Sequence, residues 1–414
     1  MQSGKEREFK MTKEISTLKN NIEYIYRKND NTPRMALCLN LSINNAEKTT
    51  GIYSLVARLL LQGTEKYNSE QLANEFEKYA IDFSSDLFPN YLRFKFVCLN
   101  EDFSKAIELM DEVIKNSTFE EFEKEKGKII GEITAELDSP RAIALDAYGK
   151  TMFENHYYGN TLTKTLECID SITKEDVIEA YNQILNDSRK SLAIVGSLNK
   201  EEILPQIEQT IGTLPASQNN NFNIEKPELT AKKEVENIRA DLNQSHIIKG
   251  WMVPTYGEED YPALILLNII LGACGLSSRL FQELRDKKGL AYVVRSSYET
   301  FKLAGNFMIY IATEPKNIEV SLNGFNEEIE KIKTIPVSEE ELNNAKNNFI
   351  GKCAFIEETN LQQACSYAKH GVLGLGFTFY NDVKEQVKKV TSEQILKCAQ
   401  KCFSDKYVIS IIKP

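Results

Sequence analysis

The stretch Ser277–Tyr292, SSRLFQELRDKKGLAY, predicts a helix that leads directly into a strand. Ser277 or Ser278 can cap this helix, and its apolar residues share one stripe, namely Leu280, Phe281 and Leu284. Gly289 is expected to end the helix, because a residue with positive φ is cheapest as glycine. The alternation of residues around and after Tyr292 is typical of a strand. Arg285 and Tyr292 therefore flank one turn, and the turn itself requires neither side chain.

The composition is that of an ordinary globular protein. The 414 residues are 42% hydrophobic and 27% charged, which is enough chain for two large domains. The formal net charge of -10 and the lack of a polybasic arm argue against nucleic-acid binding, which needs a clustered basic face. Residues 1–14 lack the apolar core of a signal peptide, and no run of about eighteen apolar residues occurs. A cytoplasmic protein without membrane contact is expected.

Cysteine and histidine offer no metal site by their spacing. The eight cysteines are widely spread and most lie in apolar runs, so we expect buried free thiols rather than a disulfide framework. Cys398 and Cys402 share a helix face and could hold half of a zinc site, but no second Cys or His pair has ligand spacing. His156, His246 and His370 are far apart, and none has a partner at ligand spacing. Structural roles are expected for these side chains.

The two halves of the chain repeat one order of elements. Residues 13–43 are expected to form a β-hairpin, followed by helices, a second hairpin, further helices and a buried strand. Thr391 follows Thr173 by 218 residues in similar helix starts, and Gly351 follows Gly131 by 220 residues in similar helices. This correspondence indicates an internal duplication of α+β units of about 200 residues each.

We therefore expect two homologous α+β domains, each with an antiparallel-rich sheet packed by helices. The N-terminal domain is expected over residues 13–215 and the C-terminal domain over residues 235–414. Residues 216–234 are polar, with a run of Asn and a Pro, which is the composition of a linker.

Three stretches carry a family resemblance that extends over nearly the whole chain. They are GIYSLVARLLLQGT (51–64), IIGEITAELDSP (129–140) and DYPALILLNIILGACGLSSRLFQELRDKKGLAY (260–292). The chain resembles the insulinase, pitrilysin and mitochondrial processing peptidase family of zinc peptidases, especially its compact bacterial branch. The resemblance implies two homologous domains. It also implies that a pair of such chains, or one fused chain, closes like a clamshell around an unfolded peptide.

Catalytic members of this family carry His-x-x-Glu-His on the first helix and a third zinc ligand, Glu, on a later helix. The matching positions here are Ser54, Ala57 and Arg58, and only Glu132 matches the third ligand. A hydroxyl is a poor zinc ligand, a methyl group cannot act as a base, and a guanidinium has no lone pair to donate. The chain is thus expected to hold no zinc and to be inactive alone. If the two helices still meet, Arg58 and Glu132 should form a charge-assisted pair.

The resemblance gives Arg285 and Tyr292 a function. The family has in its second half an Arg and a Tyr seven residues apart that reach the active site, and these two residues match that spacing. There the Arg holds the substrate backbone with its permanently charged fork, and the Tyr hydroxyl donates to the carbonyl oxygen as it becomes an oxyanion. Such donors contribute about 3–4 kcal/mol. Without the resemblance, these residues would be a cationic helix end and an ordinary strand tyrosine.

Three classes of function are compatible with these residues. The leading hypothesis is a non-catalytic subunit of a heterodimeric zinc peptidase. It would bind an extended peptide substrate and contribute Arg285 and Tyr292 to the active site of a zinc-carrying family partner of similar size. The alternative is a non-enzymatic scaffold or peptide-binding homologue, similar to the core subunits of the respiratory cytochrome bc complex. A third class, a self-sufficient hydrolase, has no Ser-His-Asp or Cys-His arrangement recognisable by spacing.

Overall fold

Two sheets, one from each half of the chain, form the framework of the structure. The computed structural model describes residues 13–218 and 222–414. The strands of the first sheet are β1 (Lys13–Thr17), β2 (Glu23–Lys28), β3 (Arg34–Ser42), β4 (Asp82–Phe88), β5 (Tyr91–Leu99) and β6 (Lys190–Gly196). Those of the second sheet are β7 (Lys233–Ile238), β8 (Ser245–Val253), β9 (Ala291–Thr300), β10 (Gly305–Thr313) and β11 (Val408–Lys413).

The second sheet repeats the strand order of the first, apart from the additional edge strand β1. The first runs β1-β2-β6-β3-β5-β4 and the second runs β7-β11-β8-β10-β9. In each sheet one neighbouring pair is parallel, β2 with β6 and β7 with β11, and the other pairs are antiparallel. The expected fold class, two similar halves with antiparallel-rich sheets, is confirmed.

The hairpin predicted for residues 13–43 is wrong, because β2 and β3 are not neighbours. Strand β6 lies between them, with Leu192 opposite Tyr24 in the parallel pair and opposite Leu39 in the antiparallel pair. Every residue of β6 is buried, so this late strand occupies the centre of the sheet. Period-two alternation identifies a strand but not its partner, and a parallel pair always needs a long connection.

Helices surround the sheets. The first half contains α1 (Ile52–Leu59), α2 (Ser69–Lys78), α3 (Phe103–Asn116), α4 (Phe122–Glu136), α5 (Pro140–Met152), α6 (Leu162–Cys168), α7 (Lys174–Asp187) and α8 (Lys200–Gln209). The second contains α9 (Tyr261–Asn268), α10 (Ile318–Thr334), α11 (Glu339–Ile356), α12 (Asn360–Val372), α13 (Phe379–Lys389) and α14 (Ser392–Cys402). Thr173 and Thr391 cap α7 and α14 with the same reciprocal box, so the two positions are equivalent in structure.

Each sheet is covered on one face by a helix from the other half of the chain. Helix α5 packs across β8 and β11, and the hydroxyl of Tyr148 donates to Asn306 Oδ1 at 2.6 Å. Helix α12 packs across β3 and β6, and Arg27 Nη1 donates to the hydroxyl of Tyr367 at 3.0 Å. Two apolar clusters therefore combine residues from both halves. The halves interlock, although each sheet is built from its own segment.

The segment expected as a linker lies between these two sheets in the chain. Its last two residues, Lys233 and Glu234, form the start of β7. Residues 219–221 of the segment lie outside the described part of the chain, as do residues 1–12. Within the described ranges, none of the helices has the length and apolar character needed to cross a membrane.

Candidate functional site

The segment around Arg285 is helical, but it is not the α-helix expected from Ser277 onward. Residues Phe281–Lys287 form a π-helix, and a second π-helix covers Ile269–Ala273. Ser278 Oγ donates back to the carbonyl of Gly275 at 2.7 Å instead of capping the helix. Hydrogen bonds that span five residues, such as that from the N–H of Lys288 to the carbonyl of Glu283, replace the usual pattern. Such wide turns are rare in proteins, and those that occur are often found at functional sites.

The end of this helix follows the prediction. Gly289 has a φ of 62°, in the left-handed region that favours glycine. The apolar stripe is buried: Leu280 and Leu284 pack into the core of the second half, and Phe281 is buried beside them. Arg279 pairs with Glu341 of α11 through two hydrogen bonds of 2.7 Å, which attach the segment to its neighbour. Sequence analysis did not predict this ion pair, because no sequence pattern relates two residues so far apart in the chain.

Arg285 and Tyr292 lie together at the turn. Arg285 Nη1 donates to the carbonyl oxygen of Tyr292 at 2.9 Å. The guanidinium carbon lies 4.8 Å from the ring centre of Tyr292 and 4.5 Å from that of Phe281, within cation–π range. Tyr292 is 78% exposed, and its hydroxyl has no hydrogen-bond partner among residues 13–218 and 222–414. The turn thus holds the arginine by one hydrogen bond and two ring contacts, and it leaves the Tyr292 hydroxyl exposed.

A surface cavity of about 440 Å³ opens beside this pair. Its lining includes Gly272, Phe281, Arg285, Tyr292 and Arg295. A Cβ at Gly272 would overlap the backbone of β9, so glycine is required where the first π-helix meets that strand. The cavity therefore lies beside the guanidinium of Arg285 and the phenol of Tyr292 at the edge of the second sheet.

Arg58 and Glu132 form the ion pair that the sequence predicts. Helix α1 packs against α4, and Arg58 Nη1 donates to Glu132 Oε1 at 3.0 Å while Nη2 bonds Oε2. The hydrogen bond raises the pKa of Arg58 and lowers the pKa of Glu132. The negative charge of the buried Glu125 also favours the charged form of Arg58. The carboxylate of Glu132 is therefore paired with a cation that belongs to the protein itself, the guanidinium of Arg58.

A zinc ion does not fit these residues. Arg58 bonds both oxygens of the Glu132 carboxylate, and its positive charge would repel a metal ion. Ala57 is buried and Ser54 half-buried, and neither offers a strong ligand. In the described ranges, no group of three or more His, Cys, Asp or Glu side chains is placed to hold a metal ion. No reaction step through zinc can be derived for this chain.

The three histidines have separate structural contacts. His156 accepts a hydrogen bond from the N–H of Tyr158 at 3.0 Å and caps a short helical turn. His246 Nδ1 lies 2.8 Å from the hydroxyl of Tyr310. His370 is buried, and burial lowers its pKa to about 3, so it stays neutral.

The cysteines are all free. Cys398 and Cys402 lie on α14 with their sulfur atoms 3.9 Å apart, and both are buried in the core of the second half. Burial and the neighbouring thiol raise the pKa of Cys398, which opposes the thiolate that a metal would need. The two cysteines are therefore packed in the core and do not form half of a zinc site.

Comparison with known proteins agrees with this architecture. The family model described as insulinase (peptidase family M16) matches residues 22–166, and that described as the peptidase M16 inactive domain matches residues 171–349. A Bacillus subtilis protein described as the uncharacterized zinc protease YmxG is 24% identical, covering 96% of this chain and 97% of its own length. A Rickettsia felis protein described as an uncharacterized zinc protease is 27% identical, covering 88% of each chain.

Two solved structures share the fold. A crystal structure described as a protease from Helicobacter pylori has a TM-score of 0.89 at 19% identity, covering 98% of this chain and 100% of that one. A structure described as the peptidase M16 inactive domain from Pseudomonas fluorescens has a TM-score of 0.85 at 21% identity, covering 98% of both chains. With both family models matched in chain order and the fold shared from end to end, this chain belongs to the insulinase, or M16, family of peptidases.

Proposed function

We propose that this chain is a non-catalytic subunit of a heterodimeric zinc peptidase. It binds an extended peptide and contributes Arg285 and Tyr292 to the active site of a family partner of similar size that carries His-x-x-Glu-His. The observation that carries the proposal is the asymmetry between the two halves. The Arg285–Tyr292 pair is present, with an exposed Tyr292, whereas Arg58 stands at the position that the family resemblance assigns to a metal ligand.

The free donors of the Arg–Tyr pair support a role in substrate binding. Arg285 uses one N–H to bond the Tyr292 carbonyl, which leaves most of its donors for another acceptor. The Tyr292 hydroxyl is exposed beside the cavity, so it can donate to a carbonyl oxygen without breaking an existing bond. A backbone carbonyl that gains negative charge is the acceptor for which such donors are best suited.

Exposed apolar side chains near the pair support contact with a second chain. Val293, which is 38% exposed, lines the cavity, and Leu276, which is 74% exposed, follows the lining residue Gly275. Together with Tyr292 they present apolar surface that a partner would remove from water. This surface is where we expect the zinc-carrying subunit and the peptide to meet the chain.

The partner is tested first, by native purification of the tagged chain and mass spectrometry of the co-eluting protein. A stoichiometric partner of similar size with His-x-x-Glu-His supports the proposal. A homodimer, or a partner without that motif, contradicts it and favours the alternative, a non-enzymatic scaffold or peptide-binding homologue.

The active-site role is tested by reconstituting peptide hydrolysis with that partner. Arg285→Ala should lower kcat/KM at least about tenfold, and Tyr292→Phe should lower kcat about 100-fold, the loss typical of one oxyanion donor. Lys287→Ala is the matched control, because this exposed cation lies on the same π-helix and pairs with Glu283 on that helix. Gel filtration shows whether each variant still binds the partner. Wild-type turnover by the bound Arg285 and Tyr292 variants would refute their role.

A further inference from the structure

Two arginines from different halves of the chain lie around the ring of Tyr310. Tyr310 is buried on β10, and Arg295 is directly opposite it on β9, the edge strand of the second sheet. Arg141 stands in the first turn of α5, the helix of the first half that packs on this sheet. The guanidinium carbons of Arg141 and Arg295 lie 5.5 Å and 6.0 Å from the ring centre, within cation–π range. The exchange of helices therefore places two cations beside one phenol.

Neither arginine is paired with a carboxylate in the described part of the chain. Both side chains are exposed, and neither guanidinium forms a hydrogen bond within residues 13–218 and 222–414. The first turn of α5 contains no acidic residue, although the helix dipole favours an anion at that end. Glu299, a carboxylate further along the same face of β9, is bonded by Asn306 instead. A chain of net charge -10 thus keeps an unpaired positive surface at this point.

His246 adds a neutral donor to this surface. Its Nδ1 lies 2.8 Å from the hydroxyl oxygen of Tyr310. Burial, and then the charge of Arg141, lower the pKa of His246, so the imidazole is neutral at pH 7. If Nδ1 accepts from the hydroxyl, Nε2 carries the remaining N–H; if Nδ1 donates, the Tyr310 O–H remains. In either tautomer, one donor of this pair is therefore left for a ligand.

A carboxylate has the charge and the acceptors that these donors require. Its two oxygens accept charge-assisted hydrogen bonds from a guanidinium fork. The position also suits a peptide held by the Arg285–Tyr292 pair. Arg295 follows Tyr292 by three residues on β9, which is about 10 Å along a strand. An extended peptide covers that distance with about three residues, so one peptide can reach both places.

We propose that Arg141, Arg295 and the His246–Tyr310 pair form a binding site for a carboxylate of the peptide. This inference rests on the proposed function and extends it, because it names a charge that the peptide carries. The carboxyl terminus of a peptide and the side chain of Asp or Glu share this chemistry. The site holds either group about three residues from the carbonyl that Tyr292 contacts.

The test is calorimetric titration of the purified full-length chain with N-acetylated peptides of about eight alternating Ala and Ser residues. One peptide has a free carboxyl terminus, a second ends in an amide, and a third ends in an amide but has Glu as its last residue. The free acid should bind about three- to tenfold more tightly than the amide, the gain expected from two exposed ion pairs. High salt should reduce this difference, because it screens exposed charges.

The Glu peptide identifies the source of the carboxylate. If it binds as tightly as the free acid, the site accepts a side-chain carboxylate as well as the terminus. If it binds as weakly as the amide, the site is specific for the carboxyl terminus. Either result supports the site.

Variants assign the difference to the two arginines. Arg141→Ala and Arg295→Ala should each reduce the difference between acid and amide, and the double variant should abolish it. Both side chains are exposed, so the variants should fold, which circular dichroism checks. Arg34→Ala is the matched control, because Arg34 is an exposed arginine of β3 that forms no ion pair among the described residues. It should leave the difference unchanged.

Equal affinity of the acid and amide peptides for the wild-type chain, or an unchanged difference in the double variant, would overturn the proposal. A lack of measurable binding by all three peptides has the same consequence. No partner subunit takes part in these titrations, so their outcome is separate from that of reconstituted hydrolysis. Binding of the free acid by a chain that has no His-x-x-Glu-His partner would retain the carboxylate site and reject the heterodimeric peptidase.

Discussion

The double substitution Ser54→His with Arg58→His is expected to turn the Arg58–Glu132 contact into a zinc site. Positions 54 and 58 lie four residues apart on α1, so both side chains project from one helix face, as paired histidine ligands of zinc do. Arg58 already reaches both oxygens of Glu132, which places the carboxylate where a third ligand is needed. Removing the guanidinium frees that carboxylate for a metal.

The expected change in the free energy of unfolding follows from how exposed the two side chains are. The side chains of Arg58 and Glu132 are 36% and 57% exposed, so loss of their ion pair should cost at most about 1 kcal/mol of unfolding free energy. Zinc that binds only the folded state at 100 times its dissociation constant should add about 2.7 kcal/mol. The variant should thus be slightly less stable than wild type without zinc and more stable with it.

Two measurements test this: zinc content by elemental mass spectrometry after dialysis, and urea unfolding with and without zinc. The matched control adds Glu132→Gln to the double variant, which keeps the shape of the side chain and removes the charged ligand. Its zinc affinity should fall at least about 10- to 100-fold, the loss that follows when even an outer partner of a ligand is removed. Equal zinc affinity with and without Glu132 would refute the assignment of this carboxylate to the degenerate site.

Three further substitutions test the contacts and charge of buried residues. Gly272→Ala should destabilise the protein by about 1–3 kcal/mol in urea unfolding, because the new methyl overlaps the backbone of Ser296. Tyr148→Phe should cost about 1–3 kcal/mol, because it leaves the buried Asn306 oxygen without its donor. His370 has a folded pKa of about 3, below its unfolded value of about 6.5, so the unfolded state binds the proton first. Stability should fall by about 1.4 kcal/mol per pH unit as the pH drops through that window, and His370→Phe should remove this slope.

The sequence could predict the Arg58–Glu132 pair only through the family resemblance. The two residues are 74 positions apart, and no periodicity relates them. Once α1 and α4 were expected to meet as they do in the family, opposite charges at the former ligand positions made an ion pair the natural outcome. The local sequence pattern predicted the two helices, and the resemblance predicted that they are in contact.

Local pattern also failed in specific places. The apolar stripe and Gly289 predicted a helix and its end correctly, but nothing in the stripe distinguishes an α-helix from the π-helix Phe281–Lys287. The extra residue per turn is a response to contacts with β9 and α11, which lie elsewhere in the chain. Contacts between elements, rather than the helix propensity of the segment, therefore determine which type of helix forms.

The exchange of α5 and α12 was likewise invisible to periodicity. Helix α12 has an apolar stripe, whereas apolar and polar residues are mixed around α5, and in neither case does the pattern say which sheet the helix covers. The same limit applied to Cys38 and Cys365, which the sequence predicted as separate buried thiols. The exchange of helices brings both residues into one apolar cluster, which no periodicity in the sequence indicates.

The charge at position 58 adds a link between two helices of the first half. A zinc ion with ligands on α1 and α4 would connect the two helices, and the guanidinium of Arg58 connects them with two hydrogen bonds. An apolar residue there would leave the exposed Glu132 without its ion-pair partner, while Glu125 would keep its pair with Lys128. Arg58 therefore compensates for the charge of Glu132. The Arg285–Tyr292 pair depends on neither residue, since it is held by contacts within the second half, so it can persist after the metal site is lost.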